Sequence, residues 1–132
     1  MRHIKTTKFG FTLLELLVVI GIISILVGLG AVSYSTSQRK SRDAKRKSDV
    51  KVIQNSLEQY YSVCGFNYPT PEAGIYPAVI CTNPTTAILP TAPVDPRTTT
   101  PYPCTGCTET EYTICTTLES ETPADYCITN QQ

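Results

Sequence analysis

Residues 11–32 read FTLLELLVVIGIISILVGLGAV, a stretch of 22 positions with one charge, Glu15. At about 1.5 Å per residue, a helix of that length spans roughly 33 Å and matches the hydrocarbon core of a bilayer. The first proline is Pro69, so no residue forces the helix to end at the membrane edge. Past the polar residues 33–48, apolar side chains recur at Val50, Ile53, Leu57, Tyr60 and Cys64, which is helical spacing along one face. The pattern predicts one helix over 11–62, about 50 residues and roughly 75 Å long. Its first half, 11–32, is of membrane type and its second half is amphipathic. A helix so far above the globular mean of about 11 to 12 residues needs a partner along its length.

Composition changes sharply after the helix. All 10 prolines of the 132-residue chain lie at or beyond Pro69, and together with Gly65, Asn67 and Gly74 they predict loops through about residue 103. Within 111–118, EYTICTTL, the residues Tyr112, Ile114 and Leu118 share one alternating face. Residues 125–129, DYCIT, read as a second strand. A turn through 119–124 carrying Pro123 joins the two as an antiparallel hairpin, with 102–104 as a third strand. The lower helix supplies the apolar face that so small a sheet needs. The expected fold is α+β: a long N-terminal helix packed on a small antiparallel sheet. The expected organisation is a basic leader over 1–10, the helix over 11–62 and a cysteine-rich head over 63–132.

A head of about 70 residues is near the lower limit for a core that stands alone. Six cysteines, Cys64, Cys81, Cys104, Cys107, Cys115 and Cys127, supply covalent staples and point to an oxidising space. Fifteen pairings exist. A hairpin centred near Glu121 sets Cys115 opposite Cys127; Cys64 at the helix end and Cys81 in the next loop, and Cys104 with Cys107 around Thr105-Gly106, are the remaining neighbours. A zinc site from Cys104, Cys107, Cys115 and Cys127 is the rival, although its second pair lacks the usual short spacing. The one histidine is His3, ahead of the helix, so hydrolytic imidazole chemistry is not expected. No enzyme activity, catalytic residue, cofactor or metal is called for.

The formal net charge is zero, but bases and acids separate along the chain. Arg2, Lys5 and Lys8 precede the apolar span and Arg39, Lys40, Arg42, Lys45, Arg46 and Lys47 follow it. Glu72, Asp95, Glu109, Glu111, Glu119, Glu121 and Asp125 lie in the remote part. Copies stacked with a shift would set one sign against the other. The basic stretch reads either as a solvated helix face or as a contact for anionic lipid, DNA or acidic neighbours; a short charge run without base-reading elements carries little weight for DNA.

The residues Lys8-Phe9-Gly10-Phe11-Thr12-Leu13-Leu14-Glu15 resemble the processing site of type IV prepilins and type II secretion pseudopilins. In that family a short basic leader ends in glycine, phenylalanine follows, and a glutamate stands five residues into the mature chain. The resemblance implies a filament subunit of a type IV pilus or a type II secretion pseudopilus. It further implies cleavage between Gly10 and Phe11 by a prepilin peptidase that also N-methylates Phe11, and pairing of Glu15 with the Phe11 amine of a neighbour. The implied partners are that peptidase and methyltransferase, identical and related subunits in a helical filament, an inner-membrane assembly platform, and membrane lipid before assembly. A looser resemblance to major pseudopilins covers Leu89-Pro90, Asp95-Pro96, Tyr102, residues 111–114 and Leu118-Glu119. It makes Glu119, Glu121 and Asp125 candidate calcium ligands, but their spacing is not that of a known calcium loop, and surface solubility is the role preferred for them.

On the positive-inside rule alone, six bases beyond the span against three before it leave the C-terminal side in the cytoplasm. The cysteines and the resemblance decide the other way: a single pass through the cytoplasmic membrane with the head outside, followed by an extracellular or periplasmic filament. The competing function is a signal-anchored, monomeric, disulfide-rich surface binding module, which predicts an uncut leader and no polymer.

Overall fold

The computed structural model describes residues 10–132, and of the expected leader over 1–10 the first nine residues lie outside the described residues. Helix α1, Leu13–Val63, is 51 residues long. Five strands follow: β1 Val79–Thr82, β2 Thr85–Leu89, β3 Cys104–Thr105, β4 Thr113–Thr117 and β5 Asp125–Thr129. Contacts divide the chain into a unit that ends at Thr36 and a unit of Ser37–Gln132.

In the first unit every large apolar side chain from Phe11 to Leu29 is exposed, by 49% to 82%. Among the described residues α1 is the one helix long and apolar enough to cross a membrane. Ser24, a polar residue within the span, donates its hydroxyl to the Ile20 carbonyl at 2.7 Å, which satisfies a donor that has no water in a bilayer.

In the second unit α1 packs against two small antiparallel sheets, the α+β class expected from the sequence. Val50, Ile53 and Leu57 meet Tyr68, Tyr76, Val79, Tyr102, Tyr112 and Ile114 in one core. The order β3-β4-β5 reproduces the expected hairpin and third strand. Along β4 the alternation puts Ile114 and Thr116 inward, and Cys115 stands directly opposite Cys127 in register. The expectation of loops up to residue 103 needs correction, because β1 and β2 form a hairpin there. The runs VICT and TTAIL are short and rich in β-branched residues, and Asn83-Pro84 makes their two-residue connection. The prolines mark the boundaries of this hairpin rather than excluding it.

The helix ends where the chain needs a left-handed residue. Gly65 has φ +100°, and the Phe66 amide donates to the Tyr61 carbonyl at 2.9 Å, a six-to-one bond that satisfies a terminal carbonyl. The rings of Phe66 and Tyr61 pack edge to face over this closure, 5.7 Å between centroids. Cys64 is bonded to Cys81, Cys104 to Cys107 and Cys115 to Cys127.

Candidate functional site

Gly10, Phe11 and Thr12 precede the helix in non-helical backbone. Thr12 is the N-cap: its hydroxyl accepts the Glu15 amide at 3.2 Å. Glu15 answers through Oε2, which accepts the Thr12 amide at 3.5 Å and the Thr12 hydroxyl at 3.4 Å. This reciprocal pair is a capping box, Thr-x-x-Glu, and it satisfies two of the orphan donors at a helix start. The signature was readable in TLLE, yet the glutamate drew notice as a charge in an apolar span and as a motif residue, not as a cap. The surrounding side chains Phe11, Leu13, Leu16, Leu17 and Ile20 line an open apolar groove of about 450 Å³.

The second concentration of chemistry is polar and lies in the head, on the basic segment. Asp43 and Arg46 precede Val50 by seven and four positions, so they extend the same buried helix face. Both are nearly inaccessible, at 1% and 4%. Arg46 reaches Asp43 at 2.9 Å, Asp95 at 2.5 Å and Glu119 at 2.8 Å. Arg42 holds Glu119 through two bonds of 2.9 and 2.6 Å. Asp43 accepts the Glu119 amide at 2.8 Å, the Ser120 amide at 2.7 Å and the Ser120 hydroxyl at 2.6 Å. Three helical side chains thereby pin the β4–β5 turn and the loop around Asp95. That loop is ordered in its turn by the Asp95 carboxylate, which accepts the Arg97 and Thr98 amides at 2.8 and 2.9 Å.

Electrostatics follow this geometry. Burial pushes the Asp43 carboxyl up, but hydrogen bonds from the Ser120 hydroxyl, the Glu119 and Ser120 amides and Arg46 outweigh it and hold the group at about 2. The Arg42 hydrogen bond, with help from Arg46, holds Glu119 at about 2 against its own burial. The Arg46 bond drives Asp95 well below the carboxylate range, and Asp95 in turn drives the Arg46 guanidinium upward. A charged cluster this dry is stable only because every oxygen is bonded.

A third polar group sits at the far end of the helix, around the half-buried Glu58. Glu58 accepts the Tyr112 hydroxyl at 2.7 Å, the Tyr68 hydroxyl at 3.1 Å and the Gln131 amide at 3.0 Å. Burial first, and then the Glu58 bond, raise both phenols, Tyr68 to about 12.

These contacts bear on two readings that the sequence left open. Much of the basic stretch is not a solvated face or a free anion-binding run: Arg42, Arg46 and Lys47 have acidic partners within the head, and Lys45 has Asp49 one turn along the helix. Glu119, Glu121 and Asp125 do not converge on a cation either, since Glu119 is committed to Arg42 and Arg46, Glu121 to Lys47 at 2.6 Å and Asp125 to Thr117. Among the described residues no group of three or more ligand-type side chains could hold a metal ion. All six cysteines are bonded, so no thiolate is left for zinc.

Residues 5–31 match the family model for the prokaryotic N-terminal methylation motif. The chain is similar to type II secretion system core protein G of Aeromonas hydrophila, 37% identical over 71 residues, which are 54% of this chain and 49% of that protein. It is similar to the protein of the same name from Escherichia coli strain K12, 36% over 66 residues, 50% of this chain and 45% of that one. The corresponding protein of Dickeya chrysanthemi matches at 33% over 97 residues, 74% of this chain and 56% of its own. The chain spans about half the length of the curated relatives it matches. No solved structure matches. The resemblance to type IV pilins and type II secretion pseudopilins read from residues 8–15 is borne out by the motif and these relatives.

Proposed function

We propose that this chain is a structural subunit of a type II secretion pseudopilus or a related type IV pilus-like filament, with assembly, not catalysis, as its function. In this reading a prepilin peptidase cuts between Gly10 and Phe11 and the new amine of Phe11 is methylated. The subunit waits in the cytoplasmic membrane, head outward, until the assembly platform adds it to the polymer. The observation that carries the reading is the position of the helix start. The bond to be cut lies in non-helical backbone, the cap follows two residues later at Thr12, and apart from Glu15 and Ser24 the large side chains that the helix presents through Leu29 are apolar and exposed. Such a surface requires lipid or other helices around it.

Glu15 then acts twice: it caps its own helix, and after cleavage its carboxylate accepts the amine of a neighbouring Phe11. A subunit out of register leaves two unpaired charges in a low-dielectric bundle. The test is intact-mass and N-terminal analysis of membranes and sheared surface material from wild type, Gly10→Val and Glu15→Gln. The expected wild-type product begins at N-methylated Phe11, and Gly10→Val loses both cleavage and polymer. Glu15→Gln, which can still cap, is expected to be cut and inserted but not polymerised. A wild-type chain that still begins near Met1, with no sheared polymer, overturns the filament reading in favour of an anchored monomeric binding module.

A further inference from the structure

Among the charges without an ion partner, two groups stand apart along the helix axis. Arg39 and Lys40 have no acidic partner among the described residues. Arg97 is 66% exposed and only 3.7 Å from Glu119, a carboxylate already held by two other arginines. Arg39, Arg42, Arg97 and Glu119 line one open groove of about 440 Å³, in which cations outnumber anions three to one. Of the acids without a cationic partner among the described residues, Glu109 and Glu111 stand together on one loop, and both are exposed. Their loop is fixed at the far turn of α1, because the Glu109 carbonyl accepts the Tyr68 amide at 2.8 Å and the Tyr68 and Tyr112 hydroxyls both bond Glu58. Along the helix, Glu58 lies roughly 28 Å from Arg39.

From this we infer that the two patches dock between copies: Glu109 and Glu111 of one subunit enter the groove of Arg39 and Arg97 on the next. The inference rests on the filament reading and names one of its contacts. The patches are too far apart to meet within one head. Copies whose apolar helices all enter a membrane in the same direction can match them only by sliding along the helix axis. That contact is head-to-tail and does not close on itself, which is the symmetry of a filament rather than of a dimer. Arginine forks suit carboxylates bidentately, and pairs at a solvated surface are weak singly and sensitive to salt.

The test uses the full-length chain and measures sheared polymer relative to the membrane pool for Arg39→Glu with Arg97→Glu, for Glu109→Arg with Glu111→Arg, and for all four changes together. Intact mass under oxidising conditions checks that the three disulfides still form in each variant. Each double reversal is expected to lower polymer by about two- to tenfold, and the fourfold exchange is expected to restore it. Wild-type polymer should also fall as salt is raised during assembly. Reversals that leave polymer unchanged, or losses that accumulate in the fourfold exchange, overturn the docking while leaving a Gly10-dependent filament intact. Loss at the basic patch with a silent acidic patch likewise overturns it. Absence of any wild-type polymer overturns the filament reading and the docking with it.

Discussion

Replacing Asp43 by Asn removes one acceptor and one charge from the most buried carboxylate of the head, with little change in volume. The present side chain serves four donors, Arg46 and the Glu119 amide on one oxygen, the Ser120 amide and hydroxyl on the other. The amide nitrogen of Asn cannot accept, so at least one backbone N–H of the β4–β5 turn is left without a partner, at about 1 to 3 kcal/mol. Loss of the charge weakens the bond from Arg46 as well, which brings the expected destabilisation to about 2 to 4 kcal/mol. The same hydrogen bonds depress the carboxyl, and lowering from 3.8 to about 2 corresponds to about 2 kcal/mol. Urea unfolding of the oxidised full-length chain in detergent, followed by near-ultraviolet tyrosine circular dichroism, should show the midpoint falling by about 1 to 3 M at neutral pH. A group with a lowered folded pKa contributes fully above its unfolded value and loses that contribution as pH falls through the folded one. The gap between wild type and variant should therefore be constant above about pH 5 and shrink towards pH 2. A gap under about 0.5 kcal/mol at neutral pH, well short of the cost of one orphaned donor, or one that does not change between pH 5 and 2, would refute the reasoning.

Leu57→Ala, at a side chain with no exposure, should cost about 2 to 5 kcal/mol in the same urea assay. At alkaline pH, burial holds Tyr68 and Tyr76 at about 12 and drives Tyr102 and Tyr112 higher. The folded head keeps protons that the unfolded chain releases above about pH 10, so the urea midpoint should be flat up to pH 9 and fall between pH 10 and 12. Paired Cys→Ala replacements should rank by the loop each bridge closes, with sequence separations of 17, 12 and 3. The chain-entropy relation gives about 3 kcal/mol for Cys64 with Cys81 and for Cys115 with Cys127, and about 2 kcal/mol for Cys104 with Cys107; a largest loss at the short bridge would contradict that account.

What the sequence made legible is what obeys a period. The 3.6-residue recurrence of Val50, Ile53 and Leu57 places the core face of α1, and the two-residue alternation of Tyr112, Ile114 and Leu118 places β4 inward. The same helical period continues back through Arg46 and Asp43, but charged types at those positions read as solvent-facing, because burying them is affordable only with partners brought from Asp95 and Glu119. Those partners are 49 to 76 residues away in the chain, and no local pattern announces them. The β1–β2 hairpin was hidden differently: its strands are only 4 and 5 residues long and sit between prolines, so composition outweighed β-branched content. At the N-terminus the motif was legible in the order Gly-Phe-Thr-x-x-Glu, whereas the capping role of Thr12 was overlooked beside the charge it engages.

Two demands meet at Glu15, and their energetics are unequal. Capping needs only an acceptor three residues after Thr12, which a neutral Gln supplies, and a neutral residue would enter a bilayer at less cost than a carboxylate, whose penalty is about 2.5 to 3.5 kcal/mol at mid-span. The cap therefore accounts for an acceptor at this position but not for its charge. The bonds to Thr12 are long, 3.4 and 3.5 Å, against about 2.7 to 2.9 Å for a charge-assisted bond to an ammonium group. A carboxylate held this loosely on its own helix can be taken over by a cation without the helix losing its N-cap hydroxyl, which remains on the Glu15 amide. The capping box thus keeps the charge oriented at the start of the helix, at the same level in every copy, where an amine created at Phe11 would meet it.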